Sequence, residues 1–220
     1  MRTIESLIQA VRDEAARADF PVDTPVYDRA KKSPLDPILF AGPLEASIAF
    51  FGRDLGKDEV AAGEPLIGAG GRLVREGIAR SRPGGSAAKS GGLPALMLLT
   101  NTVPYKPPGN KAYSTPVKER FRPFVAELLA GHWSGRRIIT LGTEAFLWFA
   151  PYTEKGAAEA FWKREDRYEA EFACEIVVDT PDGTIRKDVS VGPLPHPSPL
   201  NQRWYGLFPG LLDARLAEPG

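Results

Sequence analysis

The chain predicts an α/β fold, a three-layer αβα sandwich around a central, mainly parallel four-stranded sheet, with a β-hairpin insertion near 165–190. Three observations predict it. Short, mostly apolar runs that end in Gly or Asn alternate with segments of helical period, the pattern of a sheet covered on both faces. One long stretch alternates around "PDG", which signals a hairpin. At 220 residues and 43% hydrophobic, the chain can bury a core. We expect one domain over 1–220.

The elements follow in order. Ile4, Leu7, Ile8 and Val11 recur at helical spacing, which predicts a helix over 3–18. Pro21, Pro25, Pro34, Pro37 and Pro43 make 20–44 read as loop. "ASIAFFG" (46–52) is a buried strand, followed by a glycine-rich loop and a helix over 69–80. "SRPGGSAAKSGG" (81–92) is flexible and turn-rich, and "LPALMLLTN" (93–101) is the second strand. After the loop "KPPGNKAYSTP", Thr115-Pro116 opens a helix to about 130, with Pro at its first position. "RRIITLG" (136–142) is the third strand, and "TEAFLWFA" begins the next helix. The hairpin's second arm leads into "VSVGPLPHPSPL", and a final helix covers about 201–217.

Bulk properties exclude several classes. Basic and acidic residues balance at 28 each, so a nucleic-acid partner would need local basic loops. Cys174 is the only cysteine, which excludes an intrachain disulfide and an all-cysteine metal or iron–sulfur site. No apolar run approaches the ~20 residues of a membrane helix. The amphipathic, acid-containing N-terminus does not read as a signal peptide. We expect a cytoplasmic monomer with no membrane partner, metal or cofactor.

In a parallel sheet, ligands sit beyond the carboxyl ends of the strands. The loops there are the chemically rich ones. The first holds Gly52, Gly56, Gly63, Gly68, Gly70 and Gly71, with Asp54 at the strand end. Its glycines admit a backbone close to a ligand, yet it is neither a Walker loop nor a dinucleotide fingerprint. Asp54 suits a general base or a stabiliser of positive charge, or it satisfies the loop's own amides. Asn101 ends the second strand and can read a planar amide edge, or it makes a strand-end turn. Lys106, Lys111 and Asn110 surround a stiff Pro-Pro-Gly, suited to phosphates or to solvent. His196 stands between Pro195 and Pro197, which limit where its ring points. A lone histidine is usually structural, but a neutral imidazole held this way donates to developing negative charge. Ser198 suits a phosphate, and Leu200 beside Asn201 and Gln202 suits a wedge in a base stack.

Together these residues resemble the uracil-DNA glycosylase superfamily. "HPSPL" matches the leucine loop of the uracil-N-glycosylase branch residue for residue. The first loop is instead similar to the thermophile, iron–sulfur branch, G-E-A-P-G-x-x-E then G-x-P-F-V-G-x-A-G. Gly52, Gly56, Glu59, Gly63, Pro65, Gly68 and Gly71 match it without a gap. "NTVPYKPPGNK" aligns with that branch's N-x-V-x-C-R-P-P-G-N-R. The resemblance covers about 46–150 and 188–205.

The departures carry information. Tyr105 stands where that branch has a cluster cysteine, so no [4Fe–4S] cluster is expected. Asp54 matches the catalytic Asp of the other branch's G-Q-D-P-Y, Arg53 takes its Gln position, and Gly56 takes its thymine-excluding Tyr position. Leu66 replaces the Phe that stacks on the base.

The resemblance implies an enzyme that flips uracil out of DNA and hydrolyses its N-glycosidic bond, leaving an abasic site. Asp54 and His196 are the implied catalytic pair. Asn101, Arg53 and Leu66 are implied to hold uracil, and Gly52, Gly56, Lys106, Ser198, Leu200 and Asn201 to hold the DNA. Its partner is uracil-containing DNA, single- or double-stranded. Three other readings stay open: a non-turnover or suicide binder of uracil-DNA or abasic sites, a glycosylase for hypoxanthine, xanthine or mismatched thymine, and a hydrolase of free nucleotides or small esters.

Overall fold

The computed structural model describes residues 2–17, 19–81, 97–109, 111–198 and 200–217. Six strands form one sheet: β1 (Phe40–Ala41), β2 (Ile48–Gly52), β3 (Met97–Asn101), β4 (Arg137–Leu141), β5 (Phe172–Thr180) and β6 (Gly183–Leu194). Their order is β1-β3-β2-β4-β6-β5. The four central strands β3, β2, β4 and β6 are parallel, and the outer β1 and β5 pair antiparallel to their neighbours. The expected four-stranded parallel sheet is therefore the centre of a wider one. The hairpin is coplanar with it, because β6 is at once the hairpin's second arm and the fourth parallel strand.

Side-chain alternation along the strands creates the three layers. Phe51, Leu98 and Ile138 face one core, while their chain neighbours Phe50, Leu99 and Ile139 face the other. The first core packs under helices α1 (Ile4–Arg17) and α5 (Thr115–Glu127), with Leu7, Val11, Phe121 and Val125 buried. The second packs under α4 (Ala69–Arg80) and the C-terminal α9 (Phe208–Ala217), through Val74, Ile78, Phe208 and Leu212. Both faces of β2, β3 and β4 are thus covered, which is why every position of these strands is buried and most are apolar.

Four short elements escape the sequence patterns. Helix α2 (Thr24–Ala30) lies in the proline-rich stretch, because Pro25 sits in its first turn, where a missing N–H costs nothing. Strand β1 is only two residues long. Helix α3 (Lys57–Ala62) lies in the glycine-rich loop, bracketed by Gly56 at its start and the left-handed Gly63 at its end. Helix α7 (Ala157–Trp162) precedes the hairpin, and α6 (Thr143–Leu147) starts where expected after β4. Two boundaries move. Ser114 caps α5 and puts Pro116 second, and a π-helical turn, Leu128–His132, continues that helix. The last helix splits into α8 (Gln202–Tyr205) and α9, since Pro209 fits a fresh first turn better than a helix interior. The 82–92 part of the expected linker and the 93–96 part of the expected second strand lie outside the described residues, as does Asn110. No described helix is long and apolar enough to cross a membrane.

Candidate active site

The parallel strands end on one rim, and a cleft of about 920 Å³ opens there. All eleven residues singled out for site roles line it: Gly52, Arg53, Asp54, Gly56, Leu66, Asn101, Lys106, His196, Ser198, Leu200 and Asn201. β2 delivers Arg53 and Asp54, β3 ends on Asn101, and the loop after β6 carries His196.

Asp54 is nearly buried, its side chain 5% exposed. Arg53 Nε approaches its Oδ2 at 2.7 Å, an ion pair without hydrogen-bond alignment, so both Asp54 oxygens lack a hydrogen-bond donor among the described residues. Burial raises its pKa above the usual carboxylate value, and the charges of Arg53 and then Lys118 oppose that rise. Asn101 Oδ1 is likewise buried without a donor. The Asn101 amide lies against Gly52, where any Cβ would come within 2.6 Å of its Nδ2 and 3.4 Å of Leu66 Cδ2. Leu66 has φ +56°, a left-handed backbone that leucine adopts at a cost of order 1–3 kcal/mol.

His196 is exposed to the cleft mouth, with protein around its sides. Partial burial, and then the Arg53 charge, lower its pKa from the ordinary imidazole value, so it is neutral at pH 7. Gly142, at the end of β4, has φ +92° and sits where a Cβ would press within 3.0 Å of His196 Cβ. The His196 carbonyl accepts from Ser198 N (2.9 Å) and Asn201 Nδ2 (3.1 Å), so Asn201 ties the loop together. Leu200 projects from that loop and is 93% exposed.

Two expected DNA contacts do not fit the geometry. Lys106 is buried, and its ammonium donates to Asp23 Oδ2 (2.9 Å) and to the carbonyls of Pro107 (2.8 Å) and Gly109 (2.6 Å). All three donors are spent inside the loop, leaving none for a phosphate. The Gly56 amide donates to Glu59 Oε2 at 2.9 Å, so it too is occupied.

Sequence reasoning missed Asp23, and it matched Glu59 to the loop motif without giving it a role. The Glu59 carboxylate also accepts from the amides of Ile67 (2.9 Å) and Gly68 (2.8 Å), folding the glycine loop around one buried acid. A signal for it was present: a Glu three positions after the helix's first capping residue is the acid half of a capping box, and it reaches back to the Gly56 amide. Asp23 had none, since nothing in the sequence links it to Lys106. Lys57 also lines the cleft, exposed and without an ion pair among the described residues.

The residues do not fit an iron–sulfur cluster. Tyr105 is buried in the core, where it packs on Phe20 and Phe121 and donates to the Leu35 carbonyl at 3.0 Å.

A carboxylate, an imidazole and an amide converging on the carboxyl rim of a parallel sheet define a protein that does chemistry on a ligand held there. The family model described as the uracil DNA glycosylase superfamily matches residues 40–218, and the chain belongs to that superfamily. Its class is that of DNA glycosylases, hydrolases of DNA repair that act on DNA. No curated protein matches the chain.

Proposed function

We propose that this protein is a monofunctional uracil-DNA glycosylase. The observation that carries the reading is the pairing of Asp54 and His196, from different strand ends, across one cleft that also holds the unpartnered Asn101 carbonyl. The flipped base enters with its edge against Asn101, whose free Oδ1 accepts from a ring N–H. The C1′–N1 bond breaks with its electron pair leaving on the base. His196, neutral, donates to the uracil O2 as negative charge develops there. Asp54 stabilises the cationic sugar and accepts a proton from the water that bonds to C1′. Leu200 fills the vacated stack, with Ser198 at the flanking phosphate. Lys57, exposed at the cleft, takes the phosphate role that Lys106 cannot.

A second reading has its own support. Gly56 leaves bare the position of the thymine-excluding Tyr, and the cleft is wide. A larger deaminated base such as hypoxanthine or xanthine, or a mismatched thymine, is the alternative substrate.

The test is single-turnover excision from a lesion panel in single- and double-stranded oligonucleotides, read as alkali-labile breaks. Uracil is expected to be cut fastest. Asp54→Asn and His196→Ala each lose about 10²–10³ in rate with an unchanged circular dichroism spectrum, and Leu200→Ala loses more on duplex than on single strands. Uracil DNA left intact while another lesion is cut transfers the reading to that base. A stoichiometric adduct without turnover makes the protein a binder instead.

A further inference from the structure

We propose that Arg53 is a catalytic residue of this cleft, whose guanidinium serves Asp54 as counter-ion in the free protein and faces the departing base in the reaction. The proposal rests on the glycosylase reading above and adds a cation to a site otherwise built on Asp54 and His196.

The geometry makes Arg53 available. Its Nε lies 2.7 Å from Asp54 Oδ2, yet neither that nitrogen nor either Asp54 oxygen has a hydrogen-bond partner among the described residues. The contact is therefore Coulombic and lacks the directional bonds that fix a fork-and-carboxylate pair. The Arg53 side chain is one-third exposed on the cleft wall, while the Asp54 side chain beside it is 5% exposed. A guanidinium in this position can keep its charge near the carboxylate while turning its outer donors to a ligand. By contrast, Lys106 in the same cleft is fully engaged.

The electrostatics agree with that placement. Arg53 is the leading charge that offsets the burial of Asp54, and it is also the charge that disfavours an imidazolium at His196. One cation thus favours an ionised Asp54 and a neutral His196 together, the two states the chemistry needs. The other charges at Asp54 come from the helices beside it: Lys118 on α5 favours the carboxylate and Glu144 on α6 disfavours it. Those two form an ion pair with each other and so largely cancel. The buried Tyr113 phenol, one residue before the Ser114 cap of α5, also lies within reach of the Asp54 charge. Elsewhere along the cleft, Asp23 pairs with Lys106, Glu59 holds backbone amides, and Lys57 and Asp58 stand on α3.

During bond cleavage the C1′–N1 electron pair moves onto the base, and the base becomes an anion. Arg53 faces that anion, while His196 supplies one hydrogen bond. The positive charge released from Asp54's side strengthens the carboxylate's attraction for the cationic sugar. Nothing is oxidised or reduced, and the water proton ends on Asp54 before passing to solvent.

The chain has only two histidines, His132 and His196, so proton NMR of the His132→Gln variant reports His196 alone. We expect the His196 pKa in the free protein to rise in Arg53→Gln, and to stay near wild type in Arg53→Lys. In the excision assay, Arg53→Gln should lose about tenfold to a hundredfold in single-turnover rate, and its acidic limb should move to higher pH. Arg53→Lys should recover most of the rate. An unmoved His196 titration in Arg53→Gln overturns the electrostatic coupling. A rate lowered equally at every pH and not recovered by lysine overturns the catalytic role and leaves a structural one. Intact DNA with the wild-type protein on every lesion defeats the glycosylase reading, while the NMR arm still decides the coupling on its own.

Discussion

Asp23 and Asp54 line the same cleft, and each has a basic nitrogen within 3 Å, 2.9 Å from Lys106 and 2.7 Å from Arg53. Their environments push them in opposite directions. Asp23 receives a true hydrogen bond from Lys106 and another from the Gly109 amide (3.2 Å), and these hold its carboxyl below the usual range. Asp54 receives none, and burial lifts its carboxyl above that range despite the nearby cation. The difference lies first in burial, which is much deeper at Asp54, and then in hydrogen-bond satisfaction, with charge pairing common to both. A satisfied buried ion builds a frame, and an unsatisfied one keeps its capacity for a partner that arrives later.

The largest stability effect belongs to the frame. Asp23→Asn leaves the Lys106 ammonium buried beside a neutral amide, and should cost on the order of 3 kcal/mol in urea unfolding. Because the folded pKa of Asp23 is lowered, its stabilisation is present above the unfolded carboxyl value. It fades only as pH falls through the folded one. The gap between wild type and variant should therefore hold from pH 7 to 5 and close in acid. A variant as stable as wild type at pH 7 would erase the distinction between the two aspartates.

Glu59→Gln tests the second part of the frame. The carboxylate accepts from three amides, and a glutamine can serve only some of them, because its NH₂ turns one contact into donor against donor. We expect a loss of about 2 kcal/mol. The amides of Gly56, Ile67 and Gly68 should also exchange faster with solvent by hydrogen-exchange NMR.

The contrast also explains what was legible in the sequence. Strands β2 to β6, the two cores and helix α4 follow from apolar period and length, which depend on local pattern. So does the convergence of Asp54, Asn101 and His196, since strand order alone puts their loops on one rim. Residue type does not disclose which polar groups will find partners. Lys106 carries the charge a phosphate contact needs, and only the fold reveals that Asp23 and two carbonyls have consumed it. Helices α2 and α3 were hidden for a related reason. Pro25, Gly56 and Gly63 act as end signals where composition alone reads them as breakers. The Leu66 backbone, strained beside Gly52 and Asn101, has no counterpart in any local pattern.

The smallest effect has the most diagnostic sign. A carboxyl whose folded pKa is raised binds its proton more tightly in the native state than in the unfolded chain. Native stability therefore falls as pH rises through that folded pKa, and at pH 7 the ionised Asp54 is a standing cost. Asp54→Asn removes the charge with little change in shape, so the variant expected to slow excision should be more stable at pH 7. Arg53, one-third exposed, can turn to water once it loses its counter-ion, which limits the penalty on that side. The expected gain is on the order of 1 kcal/mol. It should shrink as pH falls through the raised folded value and vanish below the unfolded carboxyl value, where Asp54 is protonated in both states. Parallel melts of Asp54→Asn and wild type at pH 7 and pH 4 measure it. A loss of stability at pH 7 would mean that Asp54 belongs with Asp23 among the framing residues, and the unsatisfied oxygens would then have another explanation than a waiting substrate.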